Sequence, residues 1–381
     1  MKYSSGRVER RKAPHKGWRA VLDYEEGGKR KRKTKTLDAR TKTEANRQMN
    51  AWWAEMEAEE ERRAAEPPTP AEEASSVTVG EWVSDQVSQM GAVGSITPTT
   101  VAGYRHSAKL LSPIAGTTLD RLDRAAVADW MAGLTARGLS SSTVGKSFRL
   151  LKQCMTVAVR DEMLLRNPCD GVRPPKREKV RPGINALDSA ERSRLKALLA
   201  SVEPDPMVVG ASIALYTGLR RGEVCGLRWR DVDLERGVLW VRKAIGVADG
   251  RTYLKDSKTG HDRDVALPAT LVDALREWRR DPRSGEVYVV GRGDRWADPS
   301  VLGREWGAFA KLNGVRGTEG RLCTFHDLRH TWATAAVAAG IDIKTVSSNL
   351  GHANAAMTLN IYASADPDAK RRAAEVMDGV I

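Results

Sequence analysis

Two proline-rich breaks limit what this chain can fold into, because neither suits the inside of one continuous core. Residues 64–76, AAEPPTPAEEASS, hold three prolines, small residues and no aromatic, a composition that reads as an extended linker. Residues 173–183, RPPKREKVRPG, are also proline-rich and carry five basic residues against the single acid Glu178. The breaks divide 381 residues into three segments, each within the size range of a domain. A module at 1–64 is followed by the linker 65–76, a unit at 77–172, the basic linker 173–183 and a larger segment at 184–381.

Charge is distributed as unevenly as proline. The chain carries a net +13, yet residues 1–42 hold 15 Lys and Arg against 5 Asp and Glu, a net of +10. Residues 43–76 hold 3 against 9, a net of −6, so the remainder carries +9. Two separated basic regions point to a polyanionic partner whose condensed counterions Lys and Arg displace, and nucleic acid is the expected ligand. No apolar run is long enough for a membrane span, and the start MKYSSGRVERRK lacks the hydrophobic stretch of a signal peptide, so a soluble, cytoplasmic protein is expected. Cys154, Cys169, Cys225 and Cys323 form no CxxC pair, which argues against both a disulfide framework and a structural zinc site.

In the first module, Trp18, Ala20, Leu22 and Tyr24 alternate with Arg19, Val21 and Asp23, the pattern of a half-buried strand. Glu26-Gly27-Gly28 turns into a second strand at 29–36, where Lys29, Arg30, Lys31, Arg32, Lys33 and Lys35 make a face suited to phosphates rather than to a core. A helix over 43–63 presents Ala45, Met49, Trp52 and Met56 at helical spacing and covers the sheet. The unit at 77–172 reads as all-helical. Val79, Trp82, Val83 and Val87 share one face, Thr97-Pro98 opens a second helix, and helices over 125–134 and 141–162 follow before Asn167-Pro168. The basic linker adds Lys176, Arg177 and Lys179 as contacts for a nucleic-acid backbone. Beyond it, helices are predicted at 207–217, 222–229, 269–280, 299–313, 326–339, 343–350, 355–362 and 367–378, with strands at 238–242, 251–255 and 263–267. The fold class is therefore mainly helical, α+β, with a small sheet-plus-helix module first and a small antiparallel sheet within the last segment.

That segment carries the chemistry. Thr217-Gly218-Leu219-Arg220-Arg221-Gly222-Glu223 places Arg220 on a tight turn with Glu223 three residues on, and a guanidinium fork can hold two nonbridging phosphate oxygens. His326 and Arg329, three residues apart in Thr324-Phe325-His326-Asp327-Leu328-Arg329-His330, share a helix face. His326 and His330 at i, i+4 also fit a zinc pair, but Asp327 stands where the HExxH pattern needs glutamate. Gly351 can present His352 in a loop, Lys258 sits in Ser257-Lys258-Thr259-Gly260 at the expected tip of a hairpin, and Tyr362 ends a short amphipathic helix. A phenol of pKa about 10 needs nearby cations or a base to attack. No acidic cluster suited to magnesium and no Gly-rich phosphate loop accompanies these residues, so phosphoryl transfer without metal or nucleotide cofactor is expected.

Taken in order, TGLRRGE, SKTG, HDLRH, LGH and MTLNIY resemble the motifs of the tyrosine recombinase (phage integrase) family, over about residues 187–381. The resemblance extends more loosely to the helical unit, similar to the family's core-binding domain, and to the basic module, similar to an arm-binding domain that lays a three-stranded sheet in the major groove. It implies that Tyr362 attacks a scissile phosphate to give a 3′-phosphotyrosyl link, that Arg220 and Arg329 clamp the nonbridging oxygens, and that His352 hydrogen-bonds one of them. It further implies that Lys258 protonates the departing 5′-oxygen, His326 manages the tyrosine proton and Glu223 supports the arrangement. Lys255 remains a rival for the role of Lys258, and Ala363-Ser364-Ala365 stand where many members have a histidine. The implied partners are double-stranded DNA of core and arm type, three further copies of the chain, and accessory proteins that bend DNA or direct excision. Two other readings use the same residues: a type IB topoisomerase, and a DNA-binding regulator without catalysis.

Overall fold

The computed structural model describes residues 2–11, 17–26, 29–65, 69–176, 183–256, 262–351 and 377–378. In chain order, strands β1 (Lys2–Arg10), β2 (Trp18–Glu26) and β3 (Lys29–Leu37) precede helix α1 (Lys42–Ala65) and the short α2 (Pro70–Ser76). Helices α3 (Val79–Ala92), α4 (Pro98–Lys109), α5 (Arg124–Ala136) and α6 (Ser141–Arg160) follow. The rest begins with α7 (Ser189–Ser201), α8 (Pro206–Thr217) and α9 (Arg221–Gly226), then β4 (Val232–Asp233), β5 (Val238–Val241), β6 (Lys243–Ala248), β7 (Arg251–Asp256) and β8 (Arg263–Ala266). Helix α10 (Ala269–Arg280), β9 (Gly291–Arg292), β10 (Arg295–Trp296), α11 (Pro299–Leu312), α12 (Phe325–Ala338) and α13 (Ile343–Leu350) complete it. Every strand pair is antiparallel, as expected for the predicted α+β class. Among the described residues no helix is long and apolar enough to cross a membrane.

The chain divides into two compact units, one of residues 1–82, 114–129 and 152–172, the other of 83–113, 130–151 and 173–381. In the first, β1, β2 and β3 form a three-stranded sheet in that order. Alternation sends Ala20, Leu22 and Tyr24 of β2 into a cluster with Tyr3, Leu37, Ala45, Met49 and Trp52, so α1 covers one sheet face. Strand β1 escaped the residue pattern because KYSSGRVER lacks a β-branched run, and its pairing with β2 is what orders it. Residues 70–76, expected as extended linker, instead form α2. Pro70 begins the helix, and Glu72 accepts hydrogen bonds from the backbone N and Oγ1 of Thr69 at 3.0 Å each, a capping pair that outweighs the composition.

The second unit has a core of aliphatic side chains around Trp278 and Trp306, both fully buried. Their indole N–H groups donate to the carbonyls of Val289 and Cys323, each at 2.8 Å, so the aromatic area is buried without an orphaned donor. Trp306 meets Phe325 edge-on at 6.3 Å, which anchors the start of α12. At the start of α4, Thr99 Oγ1 donates to the Val247 carbonyl (3.1 Å), and Arg105 pairs with Asp249 at 2.8 Å, so α4 rests on β6 and β7.

The sheet of this unit departs from expectation in one respect that matters for the site. Strands at 251–255 and 263–267 were expected to flank a hairpin tip carrying Lys258, but β7 pairs with β6 while β8 pairs with β5. Strand β6, whose Ala-Ile-Gly-Val stretch lacks a polar alternation, supplies the missing partner. From Lys243↔Asp256 to Val241↔Arg263 one side advances two residues and the other seven. The two registers are therefore offset by five residues, and the β6–β7 pair turns at Asp249-Gly250. Adjacent side chains pin the end of β7 and the approach to β8: Lys243 pairs with Asp256 at 2.5 Å, and Arg242 pairs with Asp262 at 3.2 Å and with the buried Asp231 at 2.8 Å.

Candidate active site

Glu223 is the centre of the site. The carboxylate, 2% exposed, lies in the first turn of α9 and accepts from the Arg220 backbone N at 2.8 Å through Oε2 and from Arg220 Nη1 at 2.9 Å through Oε1. Arg263 Nη2 donates to Oε2 at 2.7 Å and Nη1 to Oε1 at 3.3 Å. Burial alone would raise the pKa of Glu223, but the hydrogen bond and charge of Arg263, with the charge of Arg220, hold it below the ordinary carboxylate range. Three residues of separation across a helix start let one carboxylate both cap the backbone and orient the Arg220 guanidinium.

Helix α8 ends at Gly218, whose φ of +69° is the left-handed conformation that glycine adopts without strain. A Cβ there would sit 2.9 Å from Leu350 and Trp332 side-chain atoms, so glycine lets α12 and α13 close on this turn. The turn matters because Arg329, 3% exposed on α12, donates from Nη1 to the Gly218 carbonyl and from Nη2 to the Leu350 carbonyl, each at 2.8 Å. Arg220 Nη2 donates to the Gly351 carbonyl at 3.0 Å. Both arginines therefore grip the end of α13, the peptide that leads into position 352.

His326 opens α12 behind the N-cap Thr324, whose side chain and backbone exchange hydrogen bonds with Asp327. Burial chiefly, then the neighbouring His330, Arg329 and Arg220 charges, push its imidazole down to about 4, so the ring is neutral at neutral pH. The His330 ring meets it edge-on at 4.6 Å, and burial lowers its pKa too. Arg220, Glu223 and His326 line a cleft of about 760 Å³ together with Lys255 of β7.

The structure thus brings together Arg220, Glu223, His326 and Arg329 of the expected set. Lys258, His352 and Tyr362 lie outside the described residues, as do Arg177 and Lys179 of the basic linker, while Lys176 is exposed. The six basic residues of β3 do not act as one surface. Arg32 lies opposite Asp23 on the open face of the sheet and bonds it through Nε at 2.8 Å, with Arg30 two residues away on that face. Lys33 faces the helix side and donates to Tyr3 Oη at 3.1 Å, Lys35 lies over the Trp52 ring at 5.7 Å, and Lys31 is paired opposite Tyr24. Lys29 opens the strand. Arg263 was missed by the sequence reading. Its signal was positional: it precedes Val265 by two on β8 and so occupies an inward register where an aliphatic side chain is usual.

The Phage integrase family matches this chain over residues 186–368. A tyrosine recombinase XerC-like protein of Caldanaerobacter subterraneus subsp. tengcongensis is 30% identical over 270 residues, 64% of this chain and 68% of that one. Among solved structures, the Tn1549 transposon integrase in complex with transposon right end DNA matches with TM-score 0.65 and 22% identity, covering 79% of this chain and 100% of that one. The lambda integrase tetramer bound to a Holliday junction matches with TM-score 0.59 and 19% identity, over 91% of this chain and 95% of that one. Both structural likenesses speak to the fold alone.

Proposed function

The chain belongs to the phage integrase family of tyrosine recombinases, and on that premise we propose that it is a site-specific integrase that cuts and rejoins duplex DNA through a 3′-phosphotyrosyl intermediate. The observation that carries this reading is that Arg220 and His326, more than a hundred positions apart in sequence, line one cleft, while Arg220 and Arg329 both bond the peptide leading into His352. Two guanidinium groups bind the one buried carboxylate and a third, Arg329, is held by backbone carbonyls, so the site keeps positive charge for a phosphodiester.

Residue roles follow from chemistry and position. Arg220, whose side chain is 28% exposed, and Arg329 take the nonbridging oxygens, with His352 hydrogen-bonding one of them. Tyr362 attacks phosphorus, the 5′-oxygen leaves with a proton from Lys258, and the phosphotyrosyl bond conserves the energy for rejoining without ATP. His326, neutral as the resting imidazole, is able to accept the phenol proton, and the approach of a phosphate anion raises its affinity for that proton. Lys255 lies on the cleft wall as the rival donor. The open face of the N-terminal sheet and the basic linker hold DNA away from the cut, residues 77–172 act with the catalytic segment at the core site, and four copies assemble on paired sites in the cytoplasm. A mobile element or prophage is the host of such an enzyme, and accessory proteins that bend DNA set its direction.

Incubation with a nicked suicide duplex tests the assignment on a denaturing gel. Wild-type protein should give a covalent protein–DNA adduct, and Tyr362→Phe should give none while binding the same duplex. An adduct that persists in Tyr362→Phe refutes the nucleophile.

A further inference from the structure

Arg263 belongs to none of the expected motifs, yet it touches two separate pieces of the site from a third. Its Nη atoms bond both oxygens of Glu223 on α9, and its Nε donates to the Asn349 carbonyl on the last turn of α13 at 2.8 Å. Arg263 itself opens β8, five positions after Lys258 in sequence. We propose that Arg263 is a positioning residue for strand cleavage, holding Glu223, and through it Arg220, in register with the peptide that leads into His352. The inference rests on the recombinase reading given above.

Two observations separate this role from direct contact with DNA. The Arg263 side chain is 9% exposed, whereas that of Arg220 is 28% exposed and lines the cleft, so of the two arginines bonded to Glu223, Arg220 is the one open to a phosphate there. Arg263 also directs Nε and both terminal nitrogens to protein oxygens. One carboxylate thus binds two arginines, an inner one that fixes it and an outer one that it aims. The register explains why the inner one is arginine at all. Arg263 pairs with the buried Val241 and shares its face of β8 with Val265, a place where a cation is tolerated only with a counterion. Gly351 closes the arrangement: its φ is +60°, and a Cβ there would lie 2.9 Å from Arg263 Nη1.

The test uses the full-length chain with Arg263→Met, Arg263→Lys and the double variant Arg263→Met with Glu223→Gln, on the nicked duplex, with wild-type adduct as the reference. Arg263→Met should lower the rate of adduct formation by about a hundredfold, the loss typical of one misplaced charge donor, with duplex affinity within about twofold of wild type. Arg263→Lys should recover only part of the rate, because ammonium restores charge without the planar fork. The charged groups bonded to Glu223 are Arg220 and Arg263, with His326 on the same cleft. Without Arg263 the carboxyl should take a proton more readily, so the rate against pH gains an acid limb that Glu223→Gln removes. A merely structural role would lower the rate equally at every pH, together with the melting temperature. That result, or an unchanged rate in Arg263→Met beside a normal wild-type adduct, overturns the proposal and leaves the recombinase reading standing. Absence of an adduct from the wild type overturns both.

Discussion

Alternation divides the basic strand β3 into two unlike halves, and exchanging each half separately tests what they do. Arg30 and Arg32 project with Asp23 to the open face, whereas Lys33 and Lys35 lean over Tyr3, Tyr24 and Trp52. If the open face lies along a duplex, each guanidinium that neutralises a phosphate contributes about 0.9 to the slope of log affinity against log salt. Arg30→Ala with Arg32→Ala should then lower that slope by about 1.8. Between about 50 and 200 mM salt, the wild type would lose roughly twelvefold more affinity than this double variant. Lys33→Ala with Lys35→Ala should leave the slope almost unchanged and weaken the module instead. Three cation–aromatic contacts worth about 0.5–1 kcal/mol each and a hydrogen bond worth about 1 kcal/mol give a loss of about 2.5–4 kcal/mol. Anisotropy titrations of a labelled duplex over a salt series, with urea melts of each variant, measure both quantities. A larger slope change from the lysine pair than from the arginine pair would refute the assignment of faces.

The site offers two further tests. Glu223→Gln replaces one carboxylate oxygen with a donor that faces two donors, leaving Arg263 buried without its counterion, and should destabilise the protein by about 3–5 kcal/mol at neutral pH. Because Glu223 titrates lower in the folded chain than in the unfolded one, its contribution is present above the unfolded pKa of about 4.3 and is lost as pH falls through the folded value. Urea unfolding of wild type and variant should therefore converge in acid, and a constant gap would contradict the buried carboxylate. Gly218→Ala places a Cβ against Trp332 and Leu350 in a left-handed turn, which should cost about 1–3 kcal/mol. Since the Gly218 carbonyl holds Arg329, adduct formation should fall by more than duplex affinity does, and equal losses would detach the turn from the clamp.

Much of this arrangement was legible in the sequence where the signal was local. Thr97-Pro98 fixed the start of α4, and α10 and α13 begin and end at the expected residues. Arg220, Glu223, His326 and Arg329 could be named because each sits in a short motif. What could not be read depended on distant partners. β1 has no pattern of its own, α2 rests on two side-chain bonds to one carboxylate, and β6 shows itself only through its register with β7. Arg263 illustrates the same limit: an arginine before Asp264 reads as a solvated strand end until Glu223, forty positions away, is folded against it.

The offset in register between β7 and β8 has a consequence for how such a site can vary. Asp256 and Asp262 are tied to adjacent cations, Lys243 and Arg242, so extra or missing residues between them need not be transmitted to β7 or β8. The strand ends stay where they are. A shift of one residue in β8 against β5 is a different matter, because side chains alternate between faces: Arg263 would turn outward and Asp264 inward, toward Glu223. The strand that begins at Arg263 thus has a single permissible phase, enforced by like charges that would otherwise meet.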